Sequence, residues 1–270
     1  MADWFAPVRE RLERLAGSAG LIACGADGRP LFEHDADAAL PAASVIKLPL
    51  VMALHADAAA GLLDLGEELE VGRPVEGSGL LRHLGGPRAL PIRDLATLAV
   101  AVSDNTATNR LIERIGLERV NARLDEWGCP RTRLRRAMYD LEARARGREN
   151  VLTAREAAAL LLRLLRGELV DRRTSDAVLA TLERCEDRTL LARYLPREAR
   201  VAHKSGWIEG VRGDAGIVWH GERAVVVAGL VSGLADPAEA WPVLGLLGWC
   251  ALRAAGAPLE PLPFELRPGG

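Results

Sequence analysis

At 270 residues, 49% of them hydrophobic, the chain is long enough to bury a substantial core as one large domain or two intimately packed ones. Its 35 basic and 37 acidic residues nearly cancel and form no long run of one sign, so no nucleic-acid partner is expected; no apolar run reaches membrane-spanning length, so no membrane partner is either. Cysteines at 24, 129, 185 and 250 and histidines at 34, 55, 83, 203 and 220 lack metal-ligand spacing, which predicts reduced, buried thiols, no metal and no cofactor.

In chain order, MADWFAPVRERLERLAG predicts a short amphipathic helix without a signal-peptide core or cleavage site, and a cytoplasmic monomer is expected. GLIACGADGRPLFEHD then gives two short apolar runs around Asp27-Gly28, the pattern of a β-hairpin. A helical middle follows: IKLPLVMALHADAAAGLL, IRDLATLAVAV, NTATNRLIERIG, LERVNARLDEWG, TAREAAALLLRLLRG and SDAVLATLERC, broken by a Gly/Pro-rich loop at 72–88. Thr153 with Glu156 predicts a capping box. Near the C-terminus RVAHKSGWI, GDAGIVWH and RAVVVAGLVSG predict three more strands, and PAEAWPVLGLLGWCALRAAG a closing helix. The expected class is α+β in two subdomains: a five-stranded antiparallel sheet with terminal helices from residues 1–42 and 190–270, and an inserted all-α subdomain over 43–189.

Side-chain usage marks three short segments within this plan. Arginine supplies 33 of the 35 basic residues, and the only two lysines are Lys47, in PAASVIKLPL, and Lys204, in HKSGW. An ammonium can lose its proton and a guanidinium cannot, so a chain this committed to arginine keeps lysine where an amine is needed. Ser44 lies three residues before Lys47 at a helix start, which puts a hydroxyl beside an amine on one face, near unpaired backbone N–H groups; a plain N-cap serine has the same appearance. The heptapeptide SDNTATN at 103–109 holds two of only four asparagines and one of seven serines in a chain without glutamine, which suggests a polar task beyond capping a helix.

Ser-Val-Ile-Lys, Ser-Asp-Asn and Lys-Ser-Gly, in this order and relative placement, resemble the S-x-x-K, S-D-N and K-T-G set of class A β-lactamases and penicillin-binding proteins. GSGLLRHL, the stretch LPIRDLATLAVAVSDNTATNRLIERIG, and the hairpin-first, helix-insert, three-strand-last layout extend the likeness over nearly the whole chain. The resemblance implies one β-lactamase/transpeptidase-like domain and an acyl-enzyme on Ser44. Lys47 would be the general base, its pKa lowered by burial and by Lys204, and Ser103 a proton relay. Asn105 would hold the substrate's acylamino group. Lys204 and Ser205 would bind its carboxylate, with Arg212 as a second anchor, and Gly206 would lie along the substrate site. The backbone N–H groups of Ser44 and Trp207 would form the oxyanion hole.

One family element is missing. Class A β-lactamases carry a deacylating glutamate in an Arg-x-Glu-x-x-x-Asn setting, and aligning Arg136 with that arginine puts Met138 at the glutamate. Asp140 and Glu142 follow, and Glu149 lies beyond them, none at the family spacing; Glu142 is the best candidate replacement. The leading expectation is hydrolysis of a small β-lactam substrate. The alternatives are a penicillin-binding or D-Ala-D-Ala peptidase-like protein, or an esterase or amidase, with slow deacylation; a once-acylated sensor; and a binding module with a degenerate site.

Overall fold

The computed structural model describes residues 3–86 and 89–259, so residues 87 and 88 of the expected 72–88 loop lie outside the described residues. The chain opens with α1 (Ala6–Glu13), the hairpin β1 (Ser18–Gly25) and β2 (Pro30–His34), and a short β3 (Leu40–Pro41). A 3-10 turn, Ala43–Ile46, leads into α2 (Lys47–Ala59). Then come β4 (Glu68–Glu70), β5 (Ala89–Pro91), α3 (Ile92–Ala101), α4 (Asn105–Ile115), α5 (Leu117–Glu126), α6 (Leu141–Ala145), β6 (Val151–Leu152), α7 (Ala154–Arg166) and α8 (Arg172–Leu182). The strands β7 (Val201–Ile208), β8 (Val211–His220) and β9 (Arg223–Ser232) and the helix α9 (Ala240–Ala254) complete it.

The expected α+β architecture holds. Five antiparallel strands run in the order β2-β1-β9-β8-β7, which pairs the N-terminal hairpin with the C-terminal meander. The Asp27-Gly28 turn forms as expected, with Gly28 at φ +85°, a conformation that glycine enters without steric cost. Strand periodicity sorts the sheet's side chains between two cores. Leu21, Ala23, Val225 and Val227 pack with Phe5, Val8, Leu244 and Leu247 of the terminal helices, while Ile22, Cys24, Val226 and Ala228 join the helical middle. Central strands buried on both faces read as continuous apolar runs, as VVVAGLV does.

At the centre of the helical part, α2 is buried from Lys47 to Asp57, so Lys47 starts a helix with no solvent face. No helix among the described residues is long and apolar enough to cross a membrane. Two ladders escaped the sequence reading because two or three residues are too short to show periodicity. They are β3–β6, pairing Leu40 with Leu152, and β4–β5. The first ties the approach to Ser44 to the loop that ends at Asn150, where Ala42 N donates to Asn150 O at 2.8 Å. The capping box is half formed. Thr153 Oγ1 accepts from Glu156 N at 3.1 Å, but the Glu156 carboxylate accepts instead from Arg131 N and Thr132 N, at 2.9 and 2.6 Å.

Candidate active site

Ser44, Lys47 and the Ser103 turn meet at the junction of sheet and helices. Ser44 sits in the 3-10 turn rather than in the first α-turn expected, with Lys47 opening α2. The Lys47 ammonium is fully buried and donates to Ser103 O at 2.8 Å, Ser103 Oγ at 3.1 Å and Asn105 Oδ1 at 2.9 Å. None of its hydrogen bonds goes to Ser44 Oγ. Burial, and then the positive charge of Lys204, push its pKa well below the ordinary lysine range, against a smaller opposing pull from Asp104.

Asp104 holds this turn in place. Its Oδ1 caps α4 by accepting from Ala107 N at 2.9 Å, and its Oδ2 accepts from Leu80 N and Leu81 N at 2.7 and 2.8 Å. Backbone strain collects here. Of four non-glycine residues at positive φ among the described residues, Ala43 (44°) precedes Ser44, Ser103 (55°) is the turn residue, and Tyr139 (61°) lies in the opposite wall of the cleft. Each is held by surrounding structure in a conformation that costs on the order of 1 kcal/mol or more.

β7 is an edge strand, and its backbone runs against Ser44. A Cβ built on Gly206 would lie 2.6 Å from Ser44 N and 2.7 Å from Val45 N, so only glycine permits this approach. A cleft of about 450 Å³ opens over Ser44, Asn105, Met138, Trp207 and Arg212. Beside it a second cavity of about 340 Å³ is bordered by Ser103, Lys204 and Ser205 and shares Ser78 and Trp207 with the first.

The expected anion anchors are already engaged. Lys204 is fully buried and donates to Ser205 O at 2.6 Å. Burial alone would raise the Asp187 carboxyl, yet hydrogen bonds from Ser205 and Thr189 and the charge of Lys204 hold it below its ordinary value. Arg212 lines the cleft, lies 5.7 Å from the Trp207 ring, and donates to Ile208 O and Val211 O at 2.8 Å each. Asn105 spends its amide on Lys47 and on Glu76 O, the latter at 2.8 Å.

The facing wall is the loop from Leu134 to Asn150, pinned by asparagine amides that imitate strand pairing. Asn109 Oδ1 accepts from Met138 N at 2.7 Å while its Nδ2 donates to Met138 O at 3.0 Å. Asn121 brackets Leu134 in the same way, at 3.0 and 2.9 Å. Asn150 Oδ1 accepts from Arg135 N and Arg136 N at 2.7 and 3.0 Å, and its Nδ2 donates to Arg136 O at 3.1 Å. The scarcity that singled out Asn105 and Asn109 therefore extends to Asn121 and Asn150, whose roles the sequence reading missed.

So held, position 138 faces the cleft, and it is methionine. Glu142 is not brought into the site: its side chain is 74% exposed on α6 and pairs with Arg146 one turn on. An i,i+4 pair on a short exposed helix points its carboxylate at solvent, which corrects the expectation that Glu142 reaches the substrate. Glu149 is tied to Arg136 and Arg144, at 2.5 and 3.1 Å. Among the described residues the only carboxylate lining the main cleft is Glu209, exposed on the β7–β8 turn.

Known proteins share this layout. The sequence profile described as the β-lactamase enzyme family matches residues 7–248. A β-lactamase from Sphaerobacter thermophilus is similar in structure, with a TM-score of 0.85 and 30% identity over 96% of this chain and 98% of that one. The protein PBP-A is similar with a TM-score of 0.83 and 28% identity, over 94% of this chain and 96% of its own. The β-lactamase regulatory protein BlaB of Streptomyces cacaoi is 34% identical over 110 residues, 40% of this chain and 35% of its own length. The match thus spans about a third of that relative. With a serine–lysine centre between an edge strand and a strained Ser-Asp-Asn turn, and a profile match over nearly its whole length, the chain belongs to the β-lactamase enzyme family and is a β-lactamase-like serine hydrolase.

Proposed function

We propose that this protein forms an acyl-enzyme on Ser44 with β-lactams or related acyl amides and releases the acyl group slowly, in the manner of a penicillin-binding protein. The observation that carries this is Met138, pinned at the cleft where a water-activating carboxylate would stand. In the acylation half, a neutral Lys47 fits its surroundings. Two N–H groups satisfy Ser103 O and Asn105 Oδ1, and the lone pair meets the Ser103 hydroxyl, which can donate as well as accept. The proton leaving Ser44 then reaches Lys47 by way of Ser103, and returns by the same hydroxyl to the departing nitrogen.

The N–H groups of Ser44 and Trp207 would hold the oxyanion, in the gap that Gly206 keeps open. Lys204, Ser205 and Arg212 would take the substrate carboxylate in exchange for Asp187. Among the described residues deacylation has no equivalent base in the cleft, since Glu209 sits on an exposed turn. A second reading, that the lasting adduct is itself a signal, is favoured only by the partial match to a protein named as regulatory.

An intact-mass time course with a penicillin tests both halves. A single adduct on Ser44 that outlasts the free drug is expected. No adduct overturns acylation, and rapid turnover without an accumulating adduct overturns slow release in favour of a true β-lactamase.

A further inference from the structure

Behind Lys204 lies a chain of polar groups that acyl transfer to Ser44 does not use. His203, on β7, and Asp214, on β8, are both buried, and His203 Nδ1 lies 2.9 and 3.1 Å from the two Asp214 oxygens. Asp214 Oδ2 also accepts from Leu191 N at 3.1 Å, which fixes the carboxylate. With Nδ1 turned to Asp214, the His203 ring is held in place, and its positive charge is near enough to Cys185 to draw the thiol toward the thiolate. Cys185 is half-buried, in contrast to the burial expected of the thiols, and lines the cavity shared with Ser103, Lys204 and Ser205.

A carboxylate-paired imidazole and a lysine close to a cavity-lining cysteine are groups that favour its thiolate, the nucleophilic form. The charged groups around it divide by sign: His203 and Lys204 favour the thiolate, while Asp214 opposes it, and Glu186 and Asp187 border the same cavity. Burial would raise the Cys185 pKa, but His203 and Lys204 outweigh it and bring it down to about 7. The buried Cys24, Cys129 and Cys250 are instead pushed up to about 11, 12 and 12, chiefly by burial. Of the four thiols, Cys185 is the one that is not buried, and its pKa is the one drawn down.

We propose that Cys185 is a covalent modification site for small disulfides, activated by the His203–Asp214 pair, and that its adduct fills the cavity beside Lys204 and Ser205 and closes the acylation site. The thiolate attacks one sulfur of R–S–S–R, a Cys185–S–S–R bond forms, and the old disulfide breaks. The electron pair leaves on R–S⁻, which takes a proton from solvent, so no external oxidant is needed. A second thiol reverses the step. Closure rests on the Ser44 reading above; modification of Cys185 does not.

The test treats the full chain with dithiodipyridine, whose reaction releases a coloured thiopyridone, and maps the adduct by mass. One fast equivalent on Cys185 is expected, absent in Cys185→Ser, with the other three thiols unreactive until the protein is unfolded. Fast labelling elsewhere, or none, overturns the site. His203→Gln should slow the reaction about 10-fold near pH 6, because a two-unit loss of thiolate is partly offset by the higher nucleophilicity of a more basic thiol. An unchanged rate overturns the activation.

Should that variant not fold, the rate of the unaltered protein decides: levelling off by about pH 8 supports activation, and a rise continuing beyond about pH 9 overturns it. Finally, the labelled protein is offered a penicillin. At least about 10-fold slower acylation than in unlabelled protein or Cys185→Ser is expected for a blocked site. An unchanged rate overturns closure, while failure of the unlabelled protein to acylate refutes the Ser44 reading and leaves the thiol result standing.

Discussion

On one wall of the cleft, Lys47, Ser103 and Asn105 gather around Ser44 with every polar atom of the lysine satisfied; on the facing wall, Asn109, Asn121 and Asn150 hold the 134–138 segment through paired amide bonds. Both walls are closely specified, but the proposed proton transfer uses the first alone. Precise scaffolding and chemistry are thus separable. The loop fixes residue 138 at the cleft and presents a thioether there, which neither gains nor gives a proton.

The largest effect should come from the reactive wall. Lys47→Arg replaces a removable proton with a permanent one beside Lys204, and adds bulk where none fits, so acylation by a penicillin should fall by about 10³-fold or more. In the unaltered protein the lowered Lys47 pKa keeps the neutral amine available below the ordinary lysine range. Acylation should therefore hold as pH falls from alkaline values and drop only once pH passes below the depressed pKa, when the amine becomes charged. A rate profile that declines already at the pKa of an ordinary exposed lysine would contradict this assignment.

Next in size is the attempt to give the second wall its chemistry. Met138→Glu places a carboxylate on a backbone that Asn109 already fixes, and release of the Ser44 adduct, followed by mass, should accelerate by about 10²-fold. Glu142→Gln serves as its partner and should leave release unchanged, because that carboxylate faces solvent with Arg146. Acceleration by neither variant, or slowing by Glu142→Gln, would show that residue 138 is not the control point. The smallest change is in scaffolding. Asn109→Ala leaves the Met138 N–H and C=O without partners and should cost about 2 kcal/mol in denaturant unfolding, with acylation altered only slightly. A large loss of acylation at full stability would instead make Asn109 part of the reactive wall.

Much of this was legible in composition. A chain with two lysines among 33 arginines marked Lys47 and Lys204, and both lie buried at the site. Sparse asparagine marked Asn105 and Asn109, and the same rule extended to Asn121 and Asn150 would have found the loop's pins. Glu142 misled because a differently wound loop could have brought it to the cleft, and nothing local in the sequence says which way a short helix points. Glu156 looked like half of a capping box, but two backbone N–H groups of the 131–132 turn, distant in sequence, hold its carboxylate more strongly than its own helix end.

By itself the sequence determined the layered α+β plan and the hairpin turn, and it singled out Ser44 and both lysines. Those follow from local periodicity, turn chemistry and scarcity, which act over a few residues at a time. Only the tertiary structure decided that Asn105 serves Lys47, that Asp187 lies by Lys204 and Ser205, that Glu142 faces away, and that His203 pairs with Asp214 near the cavity that Cys185 lines. Such contacts join residues as far as 58 positions apart, and their directions are set by how sheet and helices pack, which no local pattern encodes.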